Sequence, residues 1–188
     1  MTHFDPFSAQ LFVGNDYVSS QENARDIINP STLRPCGRIA DVTPAEMSRA
    51  LACAEAARPA RARLDAKSRA QFLHALAQSI ESVDKRDVAR LMTLEVGKSY
   101  PEAVGEPANV ASVFRYYAEI ARDDTGKIAG PIQTGSFQYT RYFPNGVSVH
   151  IVSYNFPILL MAWTFAASLA AGNIAIVKPA EGGGAFAH

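Results

Sequence analysis

The sequence predicts an α/β chain: short strands, a helical block, a hairpin-like pair, and then a strand–helix–strand unit. Three observations predict it. Helical apolar spacing dominates residues 43–121 of the 188. Residues 137–143 alternate with period two. After them, two short apolar runs flank an uncharged helical stretch.

Taken in order, Leu11-Phe-Val13, Gly14-Asn15 and Tyr17-Val18 read as a small hairpin, with Gly-Asn supplying the positive φ of a tight turn. Ile27-Ile28 and Asn29-Pro30-Ser31-Thr32 give a further strand and turn, and Arg38-Ile39-Ala40 returns as a strand. Thr43, Pro44 and Glu46 form a capping box with proline at the first helical position. The helix that follows carries Met47, Ala50, Leu51, Ala54 and Ala57 on one face. Asp65 caps a second helix with the stripe Phe72, Leu73, Leu76, Ile80 and Val83. Asp84 caps a third, through Val88, Leu91 and Met92, which stops at Gly97. A fourth runs from near Pro101 to about Ala121, with Pro107 bending its first turns. Its Phe114 and Tyr117 are expected to pack on neighbouring helices.

Beyond Asp124, the residues Gly126, Gly130, Pro131 and Gly135 mark a loop. Residues 137–143 then read as a strand with one apolar face, and Pro144-Asn145-Gly146 reads as a turn into a second strand, Val147 to Val152. From 151 to 177 no side chain is charged. Pro157 and Gly172-Asn173 divide this stretch, and its helical part, about Pro157 to Ala171, rises only ~22 Å, short of the ~30 Å of a bilayer core. A core helix followed by a short buried strand, Ile174-Ala-Ile-Val177, is the better reading, with a small membrane protein as the weaker alternative.

Composition narrows the function. Apolar residues make up 48% and charged residues 19%, with a formal net charge of zero, so the chain carries no electrostatic footprint for nucleic acid or an anionic membrane. Cys36 and Cys53 have no metal-ligand spacing, and the scattered His3, His74, His150 and His188 form no HExxH arrangement; no metal site is expected. The first ten residues lack the basic and apolar regions of a signal peptide, so a reducing, cytoplasmic setting is expected.

Ile151-Val-Ser-Tyr-Asn155-Phe-Pro157, Ala171-Gly172-Asn173 and Ile174-Ala-Ile-Val-Lys178-Pro179-Ala180-Glu181 together resemble the aldehyde dehydrogenase superfamily. Leu11-Phe-Val-Gly14, Ile28-Asn-Pro30, Glu95-Val-Gly-Lys98, Arg115-Tyr-Tyr-Ala118 and Arg141 before Pro144-Asn-Gly-Val147 agree in order. Each short match is weak; their joint order and spacing are specific. The resemblance implies that residues 1–124 hold the strands and helices of a cofactor-binding domain, that 125–146 are an oligomerisation-type strand segment, and that 147–188 begin a Rossmann-like parallel sheet left incomplete. It also implies that the chain passes from 137–143 into that sheet, against the plain hairpin reading of Asn145-Gly146.

Asn155 stands where a strand ends and a helix begins, the ligand-binding edge of an open α/β sheet. Its amide can donate to a developing oxyanion, the catalytic role the resemblance implies; the plainer reading is a helix cap. The resemblance places the cofactor against Ile151, Ser153, Tyr154, Asn155, Lys178, Pro179, Ala180 and Glu181, with the adenosine ribose at Lys178 and Glu181. An ammonium and a carboxylate there suit a vicinal diol, and the carboxylate favours NAD, with NADP possible, because it repels a 2′-phosphate. A surface ion pair is the alternative on the residues alone.

The chain departs from the family's pattern at several places. Ser153-Tyr154 replaces Pro-Trp, keeping an aromatic face. Thr164 stands where many members carry lysine and Ala167 where they carry proline, so any relay through that lysine is absent. Gly182-Gly-Gly-Ala-Phe-Ala-His188 does not resemble the helix the family continues into. The family's cysteine nucleophile and glutamate base have no match here, and Cys36 and Cys53 fit no nucleophile motif. In the family a thiolate attacks the aldehyde, hydride passes to the nicotinamide and a thioester is hydrolysed. The expectation is therefore a truncated, inactive portion of an enzyme that oxidises a small-molecule aldehyde, in a homo-oligomer (dimer or tetramer). A catalytically silent oligomerisation or binding module is the alternative.

Overall fold

The computed structural model of the chain describes residues 7–18, 24–123 and 126–180. A first strand, β1 (Phe7–Ala9), precedes a tight hairpin of β2 (Leu11–Val13) and β3 (Asp16–Val18). Gly14 and Asn15 both take positive φ, 63° and 67°, matching a turn whose twist suits the antiparallel strands it joins. The strands β4 (Ala24–Ile28) and β5 (Pro35–Ala40) pair antiparallel, and β1 lies parallel to β5 on its other side. Between them the Asn29 carboxamide oxygen accepts from the Ser31 and Thr32 amides at 2.8 and 3.2 Å, so the side chain itself builds the turn.

Four helices follow, the first three opened by the caps their sequence predicts. The first, α1 (Pro44–Ala62), opens on a complete capping box: Thr43 Oγ1 accepts from the Glu46 amide at 3.2 Å and the Glu46 carboxylate accepts from the Thr43 amide at 2.7 Å. Asp65 accepts from the Ser68 amide to cap α2 (Ala66–Ser82), and Asp84 from the Arg86 amide to cap α3 (Lys85–Val96). Gly97, left-handed at φ 72°, ends α3. The fourth, α4 (Tyr100–Ile120), runs unbroken through Pro107. It is the centre of the block: α2, α3 and the later helix over Pro157–Ala170 all pack on it. Leu73, Met92, Val110 and Phe114 form the core with alanines 70, 77, 89, 103 and 118, whose small side chains let the helices approach closely.

Two expected helix faces are corrected. In α1, Ala54 is buried but Leu51 and Ala57 are exposed, because α1 packs mainly on the last strand instead of on the helical block. In α2, Leu73 is fully buried and Leu76 and Ile80 pack against the core as expected, but Phe72 and Val83 lie exposed and Ala70 and Ala77 complete the buried line. The bulkier residues misled there: the flat Phe72 ring lies beside the Arg61 guanidinium at 5.2 Å.

The expected strand over 137–143 shrinks to β7 (Gln138–Tyr139), which pairs with β6 (Ile128–Ala129). No larger sheet covers either side of it among the described residues, so alternation alone does not sustain a strand. Phe137, Tyr139, Tyr142 and Phe143 all stand exposed. The hairpin reading of Asn145-Gly146 also fails. The strand β8 (Val147–Ile151) pairs in parallel with β9 (Ile174–Lys178), joined by α5 (Pro157–Ala170). This β9 is half-buried, not fully buried, since a two-stranded sheet leaves one face uncovered. Among the described residues, no helix is long and apolar enough to cross a membrane.

Candidate functional site

Parallel pairing brings both strands' carboxyl ends to one edge. The register runs from Val147 opposite Ile174 to Ile151 opposite Lys178, and the Val152 amide donates to the Lys178 carbonyl at 3.1 Å. The turn after β8 and the residues after β9 therefore leave the sheet side by side. Their shared start is tied as firmly: buried Asn173 accepts from the Gly146 amide at 3.0 Å through its side chain. Gly172 takes φ 90°, and a Cβ there would sit 3.1 Å from Pro144 Cγ, so glycine is required.

At the carboxyl edge lies a cavity of about 390 Å³, within the range of small-molecule sites. Four of the expected cofactor residues line it: Ser153, Tyr154, Lys178 and Ala180. Pro179 is half-buried beside it, and the Ile151 side chain is exposed, neither being part of the lining. Asn155 stands exposed just beyond Tyr154. Glu181 lies outside the described residues, as does the segment after it.

The opposite wall comes from elsewhere: Pro30, Glu95 and Val96, with Val152 at the strand end. Reading residues one by one missed this wall, although the signal was present. Ile28-Asn-Pro30 and Glu95-Val-Gly-Lys98 are two of the short matches, and the fold brings them together. A Cβ on Gly97 would fall 2.8 Å from Pro30 Cγ, so only glycine lets the end of α3 lie against the β4–β5 turn.

Asn155 does not cap α5. The cap position is Phe156, and no side chain of the turn bonds the helix start. Instead Ser153 Oγ donates to Asn155 Oδ1 at 2.6 Å. With its oxygen engaged, the amide keeps its NH₂ as a donor. Lys178 Nζ donates to the Pro179 carbonyl at 3.2 Å and is exposed at the cavity.

The helix α5 is held from both ends by charged side chains of the helical block. At its start, buried Glu106 accepts from the Ile158 and Leu159 amides at 3.1 and 3.0 Å and pairs with Lys98. At its end, Arg61 donates to the Leu169 carbonyl at 2.7 Å and Arg69 to the Ala170 carbonyl at 2.8 Å. Negative charge at the amino end and positive charge at the carboxyl end complement the helix dipole. Burial, and then Arg69, push the Arg61 guanidinium below its usual value.

Burial, and then the Glu95 charge, push the Cys36 thiol up, and its Sγ donates to the Ile27 carbonyl at 3.4 Å. Cys53 lies beneath Gly14, where a Cβ would come 3.0 Å from its Sγ. Burial lowers His150, which shares a hydrogen bond with Ser148 at 3.0 Å. Thr164 spends its hydroxyl on the Met161 carbonyl of its own helix at 3.2 Å. Among the described residues, no cluster of three or more His, Cys, Asp or Glu is placed to hold a metal.

Comparison with known proteins bears on the chain as a whole. The model of the aldehyde dehydrogenase family matches residues 17–187. The chain belongs to that family. This aldehyde dehydrogenase chain is 34% identical to omega-crystallin of Enteroctopus dofleini over 180 residues, covering 92% of this chain and 35% of the relative. It is 35% identical to the mitochondrial aldehyde dehydrogenase of Rattus norvegicus over 181 residues, covering 93% and 34%. Among solved structures, an NADP dependent enzyme of E. coli superposes with a TM-score of 0.89 at 30% identity, over 96% of this chain and 38% of that one. Betaine aldehyde dehydrogenase from Staphylococcus aureus, in complex with NAD+, gives 0.87 at 27% identity, over 95% and 36%. The aldehyde dehydrogenase chain described here thus spans about a third of the length of the curated relatives it matches.

Proposed function

We propose that this chain supplies the oxyanion donor and the adenosine side of the cofactor site in an enzyme that oxidises an aldehyde to a carboxylic acid with NAD or NADP. The carrying observation is the convergence of Ser153, Tyr154, Lys178 and Ala180 on one cavity at the carboxyl edge of a parallel strand pair, with Asn155 following at once. The cavity fits an adenosine: Val96, Val152 and Ala180 offer apolar walls, Tyr154 an aromatic face, and Lys178 a donor for ribose hydroxyls.

The nicotinamide cofactor, when bound, supplies the hydride acceptor. The chain's own residues bind and orient. Ser153 holds the Asn155 carboxamide by its oxygen, so that the NH₂ is the group aimed at a developing oxyanion. Glu181, one residue past Ala180, is assigned to the ribose 2′-hydroxyl and to a preference for NAD over NADP. Cys36 is no nucleophile, because a buried thiol held above its usual value carries little thiolate.

The same reading divides the chain at 124 and 146, giving a cofactor-domain block, an oligomerisation segment and the opening of the nucleotide-binding sheet. The exposed Phe137, Tyr139, Tyr142 and Phe143 support the middle assignment. They suit burial against a second subunit of a dimer or tetramer, with no nucleic acid or membrane partner.

The test uses the complete enzyme that carries this chain. Asn155→Ala should lower kcat by roughly a hundred- to a thousandfold with NAD affinity nearly unchanged, the effect of losing one oxyanion donor. Glu181→Gln should act on the cofactor, weakening NAD and narrowing the preference over NADP. Wild-type turnover in Asn155→Ala would refute the catalytic assignment.

A further inference from the structure

The pair Lys98–Glu106 lies outside the cavity, yet it holds the residues that follow Asn155. The start of α5 cannot satisfy itself. Phe156 at the cap position has no acceptor in its side chain, and Pro157 has no N–H. The first amides needing an acceptor are those of Ile158 and Leu159. Both donate to one oxygen of Glu106, at 3.1 and 3.0 Å. The other Glu106 oxygen takes Lys98, whose ammonium also sits 3.8 Å from the centre of the Phe156 ring.

We propose that the buried Lys98–Glu106 pair is the positioning device for Asn155, fixing the downstream end of the turn that carries its amide. This rests on the oxyanion role of Asn155 proposed above.

A cap from within the turn would satisfy the helix but leave it free to shift as a body. Glu106 belongs to α4 and Lys98 to the α3–α4 link, so their bonds fix the turn relative to the helical block. Lys98 reaches the ring of the residue adjacent to Asn155, while Ser153 holds the carboxamide from upstream. The turn is thereby held downstream by the pair, and the Asn155 carboxamide upstream by Ser153. Both charges are almost fully buried, with side-chain exposures of 7% and 1%. Stability alone does not call for such a pair, since apolar replacements of similar volume often serve as well. Placement does, because a shift of about 1 Å at a reacting group costs up to a hundredfold in rate.

The experiment introduces Glu106→Gln and Lys98→Met into the complete enzyme, each with and without Asn155→Ala. The expected result is a loss of roughly ten- to a hundredfold in kcat when Asn155 is present, no further loss when it is alanine, and NAD affinity within about twofold of wild type throughout. A loss of equal size in both backgrounds would mean a structural role only and would overturn the proposal, as would wild-type kcat in both variants. If Asn155→Ala alone leaves kcat unchanged, the reading of the site fails first and this inference with it. Lys98→Met removes only the ammonium, so it carries the test should Glu106→Gln not fold. Hydrogen exchange gives a readout without turnover. In Lys98→Met, the Ile158 and Leu159 amides should exchange faster while those of α2 stay protected, and unchanged exchange there would count against the pair.

Discussion

At the scale of single residues, the environment decides which reactive-looking groups stay silent. Cys36 sits at 8% exposure with its thiol bonded to backbone carbonyls. Its pKa is raised, first by burial and then by Glu95. The folded state therefore keeps the proton to higher pH than the unfolded chain does. The stabilisation is fully present below the ordinary thiol range of about 8.5 and is lost as pH rises through the folded value. Near pH 7, Cys36 should resist alkylation in the folded chain and react readily once urea is added. The 188-residue chain should likewise form no NADH from aldehydes. Mass mapping of alkylated peptides checks the first, and rapid native labelling of Cys36 would contradict it. Asn155 is the opposite case: an exposed amide whose oxygen is engaged and whose donor is kept.

At the scale of elements, the starts of helices were legible because caps are local chemistry. Thr43 with Glu46, Asp65 and Asp84 each stand next to the amides they satisfy. The hairpin turn at Gly14-Asn15 and the stop at Gly97 were legible for the same reason. Burial across a helix was less so: the true core line of α2 consists of Ala70 and Ala77 around Leu73, which hydropathy alone ranks below Phe72. The ends of α5 were not legible at all, since Arg61 lies 108 positions from the carbonyl it serves and Glu106 lies 52 from its first amide. For the site, the near wall could be named from Ser153, Tyr154, Lys178 and Ala180, while Pro30 and Glu95 needed the fold. The remote cap carries a prediction. Arg61→Met keeps a flexible apolar stem but removes the charged hydrogen bond to the Leu169 carbonyl, which then keeps the Gly172 amide, at a cost of about 1.5–3 kcal/mol. The exposed Arg63→Met should shift stability by no more than about 0.5 kcal/mol. Urea midpoints for the two variants decide it, and equal midpoints would remove Arg61 from the account.

At the scale of the whole molecule, the described residues present broad apolar surface. Ile151 is 78% exposed and Val149 56%, on a sheet of only two strands. A separate patch, Phe137, Tyr139, Tyr142 and Phe143, stands in solvent. Open edges and contiguous apolar faces favour association. Produced alone, the chain should sediment as dimers or larger species at micromolar concentration, shifting towards monomer when Phe137 and Phe143 become serine. A single monomer peak for the unaltered chain would refute this.

The anchoring of α5 bears on how portable the strand–helix–strand unit is. By connectivity, residues 147–180 look like a cassette: strand, crossover helix, strand, with the site at its edge. By hydrogen bonding they are a tenant of the helical block. Cut out and grafted onto another sheet, the segment would keep Asn173 on Gly146 and Ser153 on Asn155. It would leave behind Glu106, Lys98, Arg61 and Arg69, the side chains that satisfy both ends of its helix. Any scaffold receiving it would have to provide a buried anion at one end of that helix and cations at the other, in register with its backbone.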